Sequence, residues 1–67
     1  MIQLRVKEVA ISKGFNKSTL SRKADIPLST MRRVWNNPHY QVQLDTLHKI
    51  ARALGVPTSE LLEDVPD

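Results

Sequence analysis

Apolar side chains recur at helical spacing along almost the whole chain, and no stretch alternates with period two. Ile2, Val6, Val9 and Ala10 form a first stripe. It ends at Lys13-Gly14, a cation followed by a residue free to adopt a left-handed C-cap. Asn16 is placed to cap a second helix that runs through Lys23. A third runs from about Pro27 to Trp35 or Asn36 and stops at Asn36-Asn37-Pro38, because a residue before proline is pushed out of helical geometry. A loop of mixed polarity occupies residues 37–43. Leu44, Leu47, Ile50, Ala51 and Leu54 then make the most regular amphipathic stripe, closed by Gly55. Pro57 pre-sets the start of a last short helix containing Leu61 and Leu62. The pattern predicts a compact all-α domain of five helices, without repeats or linkers. It takes residues 1–67 as a single domain, with a core over about 2–62 and a short acidic tail at 63–67.

The stretch from Asn16 to Asn36, NKSTLSRKADIPLSTMRRVWN, is the most specific. It reads as two short helices broken by a tight turn at Ala24-Asp25-Ile26. Leu20, Ala24, Ile26, Met31 and Val34 are spaced to hold the pair together, while the outward positions of the second helix carry Leu28, Ser29, Arg32 and Arg33 without a carboxylate among them. Two helices joined by about three residues, with the second turned outward, match a helix-turn-helix, whose second helix enters the major groove of DNA.

Length and charge narrow the picture. A chain of 67 residues makes one domain, and one near this size buries only about 60% of its unfolded surface. With no cysteine and no metal motif to act as a staple, stability must come from efficient helix packing. The absence of cysteine suits a reducing compartment. No apolar run approaches the roughly 20 residues that span a bilayer, and the N-terminus lacks a signal-peptide stretch, so a soluble, cytoplasmic and nucleoid-associated domain is expected. The net charge of +3 is unevenly spread. Residues 1–35 hold eight Lys/Arg against Glu8 and Asp25, a balance of +6, whereas residues 36–67 hold Lys49 and Arg52 against five carboxylates, a balance of −3. A basic half beside an acidic half suits a domain that offers one face to a polyanion, although a solvated surface of mixed charge gives the same count.

Taken together, these residues resemble the lambda-repressor-like, Cro-type (XRE) helix-turn-helix domains, in register over about residues 2–62. The most specific part is LDTLHKIARALGVPTSELLE at 44–63, which looks like that family's fourth and fifth helices. The helix pair is similar too, with Leu20 and Ala24 in place of the usual inward leucine and small residue. Three positions depart from the pattern. Asp25 stands where glycine is usual, at a place often requiring positive φ; aspartate tolerates that conformation better than most residues. Pro27 stands where Ser or Thr usually caps the recognition helix, so Ser29 or a phosphate is expected to serve that end. The positions of an Arg–Glu pair between the first and third helices read Ala10 and Trp35, which predicts packing in place of a semi-buried ion pair and a Trp35 mostly buried against the first helix. The resemblance implies sequence-specific binding of double-stranded DNA and transcriptional regulation of repressor type, of prokaryotic or phage character.

Contact residues can be assigned from the chemistry of readout, in which phosphate contacts position and base contacts specify. Leu28, Ser29, Arg32 and Arg33 are the side chains able to reach bases. Arg32 is the preferred reader of guanine, because its donor fork matches O6 and N7, and Leu28 suits a thymine methyl. The alternatives are an ordinary exposed leucine and a solvated arginine face, but no carboxylate occurs between residues 26 and 44 to partner the arginines. Backbone contacts are expected from Asn16 and Lys17, which open the second helix, and from Asn36 and Asn37, where the family commonly grips the backbone. The flank at His39, Tyr40 and Gln43 completes the set. Thr30 is a further candidate, with a local backbone hydrogen bond as its alternative. Arg5, Lys13, Arg22 and Lys23 add long-range attraction or merely a solvated face.

Other chemistries find little support. His39 and His48 have no cysteine or carboxylate at ligand spacing, so neither a metal nor a cofactor is expected. Ser29, His48 and Asp45 lack the setting of a triad, and Gly14 and Gly55 make no phosphate loop, so the chain does not read as an enzyme. Basic residues spread over several short helices do not make a membrane-surface helix. The remaining alternative is a protein-binding adaptor on the same fold, using Leu61, Leu62 and Val65 against its partner. For the DNA reading, one recognition helix covers too few base pairs to be specific alone. A weak homodimer, formed mainly on an inverted repeat through Leu61, Leu62 and Val65 or the 37–43 loop, is therefore expected.

Overall fold

Four α-helices form where the apolar stripes lie. In the computed structural model, which describes residues 1–66, they are α1 (Val6–Ser12), α2 (Lys17–Ala24), α3 (Leu28–Asn36) and α4 (Leu44–Leu54). The punctuation follows from the residues at their ends. Gly14 and Gly55 take positive φ, 82° and 74°, just past α1 and α4, as the expected helix stops require. Asn16 builds a capping box with Thr19: its Oδ1 accepts from the Thr19 N–H at 2.9 Å, and its own N–H donates to Thr19 Oγ1 at 2.9 Å.

The fifth helix does not form. Pro57 does start a helical turn, but Thr58–Leu61 is a single 3-10 turn. Leu62–Asp64 then becomes a strand, β2, which pairs antiparallel with β1 (Ile2–Leu4) in the register Ile2–Asp64, Gln3–Glu63, Leu4–Leu62. The domain is thus four helices with a two-stranded ribbon, not five helices. Glu63 and Asp64 belong to that ribbon, and Asp67 lies outside the described residues. The pairing continues at both ends, where the Arg5 N–H donates to the Leu61 carbonyl and the Val65 N–H to the Met1 carbonyl, each at 2.8 Å. Gln3 Nε2 donates to Glu63 Oε1 across the ribbon at 2.7 Å. Three-residue strands are too short to show period two, and their partners lie about sixty residues apart, so no local pattern announces them.

The core sits where α2 packs on α3 and α4, with α1 and the 3-10 turn closing its remaining sides. Leu20, Met31, Ile50 and Leu61 are fully withdrawn from solvent, joined by Val6, Ala10, Val34 and Leu47. Ser21 is the buried polar residue, and its hydroxyl donates to the Ser18 carbonyl at 2.9 Å. Among the described residues no buried side-chain polar atom lacks a partner.

Trp35 packs beside the start of α1, as the sequence expectation has it. It leaves a minor part of its surface accessible, in a shallow cavity shared with Leu4, Arg5, Lys7 and Glu8 at the β1–α1 junction. The helix α1 begins at Val6 and spans seven residues, so the turn facing the indole supplies charged side chains that leave part of the ring wet. Trp35→Ala should therefore lower stability by about 1–3 kcal/mol, below the cost of truncating a fully buried tryptophan. Denaturant unfolding checks this: an unchanged midpoint would show that the ring contributes no packing.

Candidate nucleic-acid interface

The interior positions of α3 decide what its outside presents. Met31 and Val34 point into the core, so Leu28, Ser29, Arg32, Arg33 and Asn36 fall on the exposed side, spaced three and four residues apart along one outward stripe. Leu28 is 36% exposed at the helix start. Thr30 is half-buried, and its hydroxyl makes no hydrogen bond among the described residues, so the local backbone alternative does not form.

The turn that aims α3 depends on Asp25, which adopts the left-handed conformation at φ 59°, ψ 50°. Its N–H donates to the Arg22 carbonyl at 3.3 Å, and the Ile26 N–H to the Ser21 carbonyl at 2.9 Å, which closes α2. Pro27 follows at φ −56°, ψ 141° and α3 starts without any side-chain cap. Ser29 does not serve as one, so the first amides of α3 stay open.

Charge is arranged to leave these helix ends attractive to an anion. Neither α2 nor α3 carries an acidic residue in its first turn. The helix α4 differs, because Asp45 stands in its first turn and already meets the positive end of the dipole. Of the cations in the basic half, Arg5 pairs with Glu8 at 3.5 Å and Lys23 Nζ sits 5.4 Å from the centroid of the Phe15 ring. Arg32, Arg33 and Lys17 have no carboxylate partner among the described residues.

The remaining candidates fall on the flanks. Asn16 is consumed as a cap through its Oδ1, leaving its Nδ2 free to donate outward. Lys17 is half-buried beside it. Asn37 folds the segment after α3, its Oδ1 accepting from the His39 N–H at 3.0 Å and its carbonyl from the Tyr40 N–H at 3.1 Å. The Pro38 carbonyl then accepts from the Leu4 N–H at 2.6 Å, which fastens this loop to β1. His39 and Gln43 are exposed, whereas Tyr40 is half-buried against the core.

One neighbourhood was read from the sequence only in part, which gave Arg22 a long-range role and did not single out Ser18. Ser18 and Arg22, a turn apart on the outer side of α2, line an open depression of about 690 Å³ together with Pro27 and Leu28. The signal was their i, i+4 spacing opposite the inward Leu20 and Ala24. Among the described residues no group of three or more His, Cys, Asp or Glu side chains comes together, and no helix is long and apolar enough to cross a membrane.

Comparison with known proteins places this geometry. A family model described as a Cro/C1-type HTH DNA-binding domain matches residues 5–67. The crystal structure of a candidate DNA-binding protein from Bacteroides fragilis superposes with a TM-score of 0.81 at 28% sequence identity, over 94% of this chain and 100% of that one. No protein of curated function matches the chain.

The left-handed Asp25 gives the turn a measurable signature. Asp25→Ala should destabilise the domain by about 1 kcal/mol, because alanine has no short polar side chain to ease that conformation. In Asp25→Gly, relief of strain is offset by the greater freedom of the unfolded chain, and stability should stay within about 0.5 kcal/mol of the parent. Thermal melts of both variants check this, and equal stability of the two would remove the strain at Asp25.

Proposed function

The chain belongs to the Cro/C1-type HTH family of DNA-binding domains, a family of binders and not of enzymes, and we propose that it reads a specific sequence in double-stranded DNA as a transcriptional regulator of repressor type. The observation that carries the reading is the outer face of α3, where Arg32 and Arg33 stand exposed with no carboxylate partner among the described residues. An unpaired guanidinium offers its full donor fork to a guanine edge. Arg32 is the base reader, with Leu28 and Ser29 beside it and Arg33 nearer the backbone. The open amides of α3, the half-capped start of α2 at Asn16 and Lys17, and the Asn36–Asn37 segment take phosphates, helped by Thr30. His39, Tyr40 and Gln43 form the far flank. Asp45 makes that flank the weaker grip. Arg22 and Ser18, level with Leu28, join the contact surface on the α2 side.

One α3 reads only a few base pairs, so two copies occupy an inverted repeat with half-site centres about 10 base pairs apart, as a weak pair formed mainly on DNA. Regulation of this kind is exercised in the cytoplasm, at the nucleoid. Of the adaptor surface Leu61, Leu62 and Val65, Leu61 is fully buried, whereas Leu62 is exposed and Val65 half-buried.

Two substitutions separate reading from gripping. Arg32→Ala should lose about 1–3 kcal/mol on the preferred site and relax the preference at one guanine. Lys17→Ala should weaken all duplexes alike and flatten the slope of log affinity against log salt by about one. Selection from a random duplex library followed by salt-titrated binding measures both. Unaltered sequence preference in Arg32→Ala would exclude this docking.

A further inference from the structure

Three cations outside the outward stripe of α3 gather where α2 packs on α4. Lys23, Lys49 and Arg52 line one open depression of about 370 Å³ together with Ala24, Asp25 and Ala53. All three are exposed, and none has a carboxylate partner among the described residues. Set against Asp25 alone, they leave the depression a local balance of +2. Lys23 and Arg52 each stand in the last turn of a helix, where a cation meets the negative end of the dipole. That accounts for these two separately. It does not account for Lys49, nor for cations from two helices meeting around one hollow. Lys23 is also held in position, its Nζ lying 5.4 Å from the centroid of the Phe15 ring.

The cluster is set apart from the surface assigned to DNA. Contacts to the duplex use the starts of α2 and α4, at Asn16, Lys17 and Gln43. Lys23 lies about 9 Å further along α2 than Lys17, and Arg52 about 14 Å further along α4 than Gln43. On α2, Lys23 is also turned by about 100° from Arg22, which lines the depression beside Leu28. The lining indicates what the cluster can hold. Ala24 is buried and Ala53 half-buried, so the ground between the cations is apolar and has room above it. A single phosphate set among the cations meets Asp25 as well. Carboxylates spread along a chain can face the cations one by one and leave Asp25 to solvent. An apolar side chain between them fits over Ala24 and Ala53. Clustered cations on a rigid scaffold are a recurring means of capturing acidic segments.

We propose that this depression binds an acidic segment of a partner protein, in which Asp or Glu side chains flank a small apolar one. It does so while α3 remains free for the duplex. The inference goes beyond the DNA-binding reading, because it gives the domain a second surface, for a protein.

The probe is a short synthetic peptide of Asp, Glu and Leu, with a control peptide in which Asn and Gln replace the acids. Added to the nitrogen-15-labelled full chain, the acidic peptide should shift the amide signals of Lys23, Ala24, Lys49, Arg52 and Ala53. The shifts should weaken as salt is raised and should persist with a duplex bound. Lys49→Gln and Arg52→Gln combined, both at exposed helix positions, should weaken the peptide about tenfold or more while duplex affinity stays within about threefold. Shifts centred on Arg32 and Arg33, or displacement of the peptide by the duplex, would overturn the proposal and make the peptide a mimic of DNA. A loss of duplex affinity as large as the loss of peptide affinity would overturn it by assigning the cluster to DNA. Inorganic phosphate that shifts the same amides at or below the peptide's concentration would overturn it in favour of a small-anion site. No response to the acidic peptide, or an equal response to the control, would leave only solvated cations. Failure of the parent to bind any duplex would overturn the DNA reading, while the peptide titration still decides this one.

Discussion

Leu20, Met31, Ile50 and Leu61 meet in one interior from which solvent is excluded, and the rotation of each helix follows from that meeting. Successive residues of a helix are turned by about 100°. Rotating α3 by one position would bring Met31 toward water and carry Arg32 toward the interior. Burying an unpaired guanidinium costs far more than any packing such a shift could recover. The outward set Leu28, Ser29, Arg32, Arg33 and Asn36 is therefore fixed by the inward pair Met31 and Val34. The face available for DNA is a consequence of the core. Asp25 completes the constraint, since its left-handed backbone lets α3 leave α2 sharply enough for Ile26 to enter the same interior.

A core of this size needs help from the ends of the chain. Leu61, almost at the end, is as buried as Leu20, and Leu4 near the start is nearly so. The ribbon formed by β1 and β2 holds both in place through backbone hydrogen bonds flanking the strands. In a chain without cysteine, this long-range closure takes the part that a disulfide has in other small domains. The same closure reaches the candidate interface, because the Pro38 carbonyl accepts from the Leu4 N–H and so ties the segment after α3 to the ribbon.

What could be read in the sequence was whatever local chemistry punctuates. The Asn16 cap, the Gly55 stop and the stripe from Leu44 to Leu54 each act within a turn or two, and all three stand where the residues put them. The pattern of α3 also carried its exposed face, since it depends only on helical period. The ribbon is illegible because its pairing joins segments about sixty residues apart, and the sequence suggests one helix where there is a 3-10 turn and a strand because Leu61 and Leu62 look alike in it. Leu61 fills the core whereas Leu62 turns outward on a strand. Charge bookkeeping by halves missed the spatial grouping too, for Lys49 and Arg52 of the acidic half share a depression with Lys23 and Asp25.

The size of the core also limits how much sequence information the domain can carry. Nine residues of α3 leave five positions on the outward stripe, of which two are arginines and one an apolar side chain. Each well-made bidentate contact discriminates by about 1–3 kcal/mol, so a single face of this kind separates a few base pairs from their alternatives and no more. Lengthening α3 would require further inward residues and a larger core, which 67 residues do not supply. The reach of the outward face is thus set by the same small interior that fixes the rotation of α3.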